Sequence, residues 1–321
     1  MIDALRAGLA GAWRLRSLAV FLLAFNLAAA ALLAAPLFRI LEGDVTNRGA
    51  APRLVHGFDY DWWRRFAHER AGFGTSFGPE MLGAGFAFRN AEMLLRGDLP
   101  GRLFSRGGEA VSGAEPLVLG LGVAYLALQT LFTGGILAAL RASRGGFALR
   151  AFAHACGFYL GPIARVTLLA LALDGLVFLL NAPLAAWADE RARESVTENA
   201  ALVWSLGRHA ALLAALLAVH LLSGYAKALV VLEDRRSASL ALVSAFAFVL
   251  GRARTVLGHF AAILLLGLLL LAGFVAADGA LGVTGYRSQL AAFGLMQAFV
   301  LLRIGLRLAL AGGQLHLLRR R

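Results

Sequence analysis

The chain has 321 residues, is 60% apolar and carries a formal net charge of +12; its mean hydropathy is +0.72. Soluble domains sit nearer half apolar and carry about 25% charged residues, against 16% here. A large soluble core would break its apolar content into amphipathic stripes, whereas here it is gathered into long runs, which excludes an ordinary soluble enzyme.

The basic balance does not point to nucleic acid. Lys227 is the one lysine, and the arginines cluster at the ends of apolar runs, as the positive-inside rule of membrane proteins describes. The one cysteine, Cys156, excludes an internal disulfide and a cysteine-rich metal site. The expected partner is therefore a lipid bilayer, with no nucleic acid and no cofactor.

Arg6, Arg14 and Arg16 precede the first run, Leu18–Phe38. That run is longer than the hydrophobic part of a signal peptide, about 7–15 residues, so it is expected to be an uncleaved first helix. Five further spans are expected at 116–140, 164–185, 209–232, 256–277 and 289–311. Each meets the length, about 20 residues, that crosses a bilayer core. None shows barrel-like alternation, so all should be helices. The expected fold is all-α: one membrane domain over 1–321, a polytopic bundle of about six transmembrane helices with short interfacial helices.

The long stretch 39–115 follows the first helix. Trp62, Trp63 and Phe66 lie beside Arg64 and Arg65, and aromatic rings favour the headgroup layer. Short helices on the outer membrane surface are expected there, with a ligand-binding cap as the rival. Ser76-Phe77-Gly78-Pro79-Glu80 reads as a helix start, with proline near the first turn.

Segments 147–160 and 237–250 are apolar, edged by arginine and too short to span. They are expected at the inner interface; docking of a cytoplasmic ATPase is the sharper alternative. They also belong to a parallel internal repeat. Phe158, Leu160, Gly161 and Val166 recur 90 residues later as Phe248, Leu250, Gly251 and Val256, and Thr133-Gly134 recurs as Ser223-Gly224. Helices two and three thus mirror helices four and five. Such repeats occur in transporters.

Arginine counts set the orientation. Arg141, Arg144, Arg150, Arg165, Arg235, Arg236, Arg252, Arg254, Arg319, Arg320 and Arg321 fall on one side with Arg6, Arg14 and Arg16. On the other, arginines in 39–115 and 186–208 are balanced by acids. Both termini are expected in the cytoplasm.

No motif of a soluble enzyme is present, and no His, Cys or carboxylate cluster has metal-ligand spacing. Ionisable residues within spans are costly and face the interior or a cavity. Asp174, His220 and Arg303 form an expected intramembrane polar cluster, Asp174 and Arg303 lying at matching depth. Read structurally, the pair fixes helix register; read functionally, Asp174 and His220 form a proton or ion relay.

At the end of helix four the chain reads Gly224-Tyr225-Ala226-Lys227, then Val230, then Glu233-Asp234-Arg235-Arg236-Ser237. Arg235 and Arg236 suit an anionic inner leaflet, Ser237 suits a helix N-cap, and Glu233 or Asp234 is expected to pair with Lys227 or Arg254. With Phe58-Asp59-Tyr60-Asp61-Trp62-Trp63, Gly74-Thr75-Ser76 and Thr133-Gly134-Gly135, this stretch resembles an uncharacterised family of six-helix bacterial inner-membrane proteins. More loosely, the layout is similar to the membrane domain of some glycerophosphodiester phosphodiesterases. The resemblance implies fold and topology and carries no activity. Relatives often have an acid where Ala138 and Gly224 stand here, so no role of those acids transfers. The functional expectation is a non-enzymatic inner-membrane protein, with a transporter or permease-like component first. A scaffold or assembly factor binding a partner through 39–115 or the cytoplasmic loops is second. A lipid-modifying enzyme using His56, Asp59 and Asp61 at the headgroup layer is third.

Overall fold

The computed structural model describes residues 2–47, 59–69, 77–78, 116–142, 145–282 and 285–320. In chain order the helices are α1 (Ile2–Arg14), α2 (Arg16–Asn47), α3 (Tyr60–Glu69), α4 (Pro116–Arg141), α5 (Leu149–Glu194), α6 (Glu198–Leu232), α7 (Ala238–Gly251), α8 (Ala253–Ala280) and α9 (Tyr286–Arg319). No strand occurs among the described residues. α4, α5, α6, α8 and α9 are each long and apolar enough to cross a membrane, and α1 with the start of α2, bent by 67° between them, makes a sixth if the pair is one span. The chain is an all-helical, multi-pass membrane protein, and every expected span falls inside a helix. The helix start expected at residues 76–80 lies outside the described residues, apart from Phe77 and Gly78.

The helices outrun the spans. At 1.5 Å per residue the 46 residues of α5 measure about 69 Å, more than twice a bilayer core of about 30 Å. The segment expected as a separate interfacial helix at 147–160 is the first part of α5. Its repeat counterpart, α7, is separate, because the chain leaves the helix at Arg252 before α8 begins. Leu240, Val243, Phe246 and Leu250 are exposed on α7 while Ala238, Ala241, Ala245 and Phe248 are buried. An exposed apolar face on a helix this short suits a bilayer interface.

Two compact units divide the chain: residues 1–15, 126–261 and 308–321 form the first, and 16–125 and 262–307 the second. Small residues set the closest helix contacts of the first. A Cβ on Gly8 of α1 would stand 2.2 Å from the Ala309 carbonyl oxygen of α9, and one on Gly313 would stand 3.0 Å from the Ala4 carbonyl oxygen. Ala4, Gly8, Ala309 and Gly313 therefore let two backbones touch, the packing that lipid-embedded helices use where no hydrophobic force separates them from lipid. The repeat has the same signature. Gly134 of α4 lies under Tyr159 of α5, and its counterpart Gly224 lies under Gln314 of α9; a Cβ at either would meet its neighbour at 2.9 Å.

In the second unit, α3 folds back on the end of α2. Asp59 caps α3 by accepting from the amides of Asp61 and Trp62. The Trp62 indole donates to the Asp44 carboxylate at 2.9 Å, and Trp63 donates to the Phe77 carbonyl at 3.0 Å. Trp62 and Phe66 pack with Ile40, Leu41, Val45 and Phe77. The short helix expected in this stretch is present, with Trp62 and Phe66 turned into protein. α2 continues to Asn47, nine residues beyond Phe38, and so presents an apolar face and a carboxylate acceptor that bury Trp62 and Phe66 in protein.

The Gly8 contact yields a prediction. Gly8→Ala is expected to cost about 1–3 kcal/mol by overpacking. Gly11→Ala, whose Cβ would meet only the flexible Leu140 side chain at 3.4 Å, should leave stability unchanged or improve it. Thermal unfolding in detergent checks this; equal melting of the two variants would refute the close crossing.

Candidate functional site

α6 ends in the 233–237 turn, and the turn is built from its backbone outward. The Arg235 amide donates to the Val230 carbonyl at 3.0 Å, and the Glu233 amide to Leu229. Asp234 between them has a positive φ of 50°. Together these make a Schellman-type stop in which aspartate takes the left-handed position usually given to glycine. Ser237 then caps α7, accepting from the Leu240 amide, as the sequence led one to expect.

The second bond of a complete Schellman motif, from the Asp234 amide to the Val231 carbonyl, is not made, and Arg141, at the end of α4, supplies that carbonyl with a donor at 2.6 Å. The same guanidinium clasps the Asp234 carboxylate through both terminal nitrogens, at 2.9 and 3.2 Å. The Tyr159 hydroxyl of α5 donates to Asp234 as well. Glu233 pairs with Arg235, and Arg235 also donates to Ser244 at 2.7 Å. Where the sequence offered Lys227 and Arg254 as partners of the two acids, the structure uses Arg235 and Arg141. The reason is reach: Arg235 is two residues away in the same turn, and α4 ends beside it.

Other arginines repeat the device. Arg319 donates to the Arg141 carbonyl at 2.5 Å, Arg252 donates to the Arg320 carbonyl at 3.1 Å, and Arg320 pairs with Asp3 at 3.1 Å. The ends of α4, α6 and α9 are thus each met by an arginine from another element, and both chain termini join the network. Sequence analysis missed this use of Arg141, Arg252 and Arg319, having read these three only as topology marks. The one signal available was position, each lying at or beside a helix end.

Beside the turn lies a cavity of about 290 Å³. Phe158, Tyr159, Pro162 and Arg165 of α5 form one wall and residues 234–236 the other. Phe158, Pro162 and Arg165 stand at i, i+4 and i+7, so one helix face passes from apolar to cationic.

The remaining motif residues are spread along the spans. Tyr225 is buried against Phe248, ring centroids 5.4 Å apart, and half-buried Lys227 makes no hydrogen bond or ion pair among the described residues. Asp174 is half-buried on α5 and makes no polar contact within its unit. The His220 carbonyl on α6 accepts from the Ser223 hydroxyl at 3.0 Å. Arg303 is exposed on the part of α9 that belongs to the second unit. Among the described residues no group of His, Cys, Asp and Glu could hold a metal ion. No known protein family, curated protein or solved structure matches the chain.

The Arg141 guanidinium first, and the Tyr159 hydroxyl second, hold the Asp234 carboxyl below the usual carboxylate range. A depressed folded-state value means that the stabilisation is complete above the ordinary carboxylate pKa and is lost as pH falls through the lowered one. Asp234 is 51% exposed, so the contribution belongs with screened pairs, about 0.2–1 kcal/mol. Wild type should therefore lose stability on acidification more steeply than Asp234→Asn. Identical melting profiles between neutral pH and pH 3 would refute the clasp.

Proposed function

We propose that the protein is a non-enzymatic, multi-pass protein of a bacterial inner membrane, with both termini in the cytoplasm, that acts as a scaffold by holding a partner at that end. The observation that carries this is the cross-bonded platform of Arg141, Asp234, Tyr159, Arg252, Arg319 and Arg320, which ties the turn to five helices, α1, α4, α5, α6 and α9. So many charge-assisted bonds at one end favour a fixed surface over a moving gate. The arginine distribution supports an inside position for that end. Two of the carboxylates, Asp59 and Asp234, have structural work: Asp59 caps α3 and Asp234 closes the turn.

A second reading rests on Asp174. A mid-span carboxylate with no polar contact in its own unit is costly in lipid, by about 2.5–3.5 kcal/mol on insertion scales, and marks ion pathways in transporters. A pairing of Asp174 with Arg303, with His220 nearby, would remove that cost.

Two measurements separate the readings. A fluorescent protein fused after Arg321 should fluoresce, while a reporter enzyme that matures only outside the cytoplasm should stay inactive there; the reverse pattern overturns the orientation. A photo-crosslinking residue at Arg254 should give discrete protein adducts in cells that the same residue at exposed Val203 does not. Lipid adducts alone at both positions, with a proton flux in proteoliposomes that Asp174→Asn abolishes, would move the protein to the transporters.

A further inference from the structure

We propose that the cavity between α5 and the 234–236 turn binds a phosphate-bearing group, either the phosphodiester of an anionic lipid headgroup or a soluble phosphate. The site does not depend on the scaffold reading or on the orientation of the chain.

Charge bookkeeping of the lining carries the assignment. Three guanidiniums line the cavity, those of Arg165, Arg235 and Arg236, against one carboxylate, Asp234. Asp234 is neutralised by Arg141 and hydrogen-bonded by Tyr159. Arg235 is taken by Glu233 and Ser244. Arg165 and Arg236 are exposed and make no hydrogen bond or ion pair among the described residues. The cavity therefore presents two uncommitted guanidiniums, one on each wall, and its lining holds no uncommitted acid. A planar guanidinium offers paired N–H donors at the spacing of phosphate oxygens.

Shape narrows the ligand. Phe158 is 56% exposed and lies with Pro162 on the face that leads to Arg165, so a ligand meets apolar surface one to two turns from the cations. About 290 Å³ is at the small end of ligand pockets, roughly 300–1,000 Å³. It accommodates a phosphate with a glycerol-sized group and leaves acyl chains outside, against the exposed face that carries Phe158.

The test uses the full chain purified in detergent. Native mass spectrometry would follow titration with dioleoyl-phosphatidylglycerol and with dioleoyl-phosphatidylcholine, and thermal shift would follow inorganic phosphate. The variant is Arg165→Gln with Arg236→Gln. The control is Arg191→Gln with Arg193→Gln, which removes the same charge at the other end of α5. The double variant should bind phosphatidylglycerol about thirtyfold more weakly than wild type, with the control unchanged. Preference for phosphatidylglycerol with no response to phosphate assigns a lipid headgroup. A response to phosphate that the double variant loses assigns a soluble source. Equal affinity of wild type and double variant for both probes overturns the site, as does equal loss in the control.

Discussion

Every helix ends with four carbonyls that its own backbone cannot satisfy, and near lipid there is little water to take their place. In this chain the constraint is met at three helix ends by arginine from elsewhere in the sequence. Arg141 reaches the end of α6, Arg319 the end of α4 and Arg252 the end of α9. Guanidinium suits the task because it carries several donors and a charge that favours the negative end of a helix dipole. The same residues supply the cationic excess that orients a membrane protein, so topology and local structure draw on one set of side chains.

The turn after α6 shows how far one such contact extends. Asp234 occupies a left-handed backbone position, which costs a non-glycine residue roughly 1–2 kcal/mol. Its carboxylate is then held by Arg141 and Tyr159, from α4 and α5. The turn fixes where Ser237 starts α7 and which way Arg235 and Arg236 leave the backbone. One of those arginines is consumed by Glu233; the other faces the cavity opposite Arg165. A cationic pocket beside a rigid turn follows from the way α6 stops.

The spans were legible because each is a long apolar run, and length alone decides that class of element. The N-cap at Ser237 was legible because capping is local. The docking of α3 was not, since Asp44 and Val45 lie beyond the apolar run that ends at Phe38, and nothing local says that α2 continues through them. Once it does, Trp62 finds an acceptor in Asp44 and an apolar surface in Ile40, Leu41 and Val45. The fusion of 147–160 into α5 was hidden for a related reason. Gly161-Pro162 reads as a break, yet the helix runs through it, while the matching break occurs at Gly251-Arg252. The partners of Asp234 lie 75 and 93 residues away, a separation that no local pattern encodes.

The central claim is that these arginines act as donors to helix ends and not only as charges that set topology. Chemical unfolding of Arg141→Met beside Arg150→Met tests it most directly, because Arg150 is an exposed arginine with no hydrogen bond or ion pair among the described residues. Losing Arg141 leaves the Val231 carbonyl without its donor and the Asp234 carboxylate with Tyr159 alone, which should cost about 1–3 kcal/mol. Losing Arg150 should cost nothing measurable. Equal stability of the two variants would contradict the account.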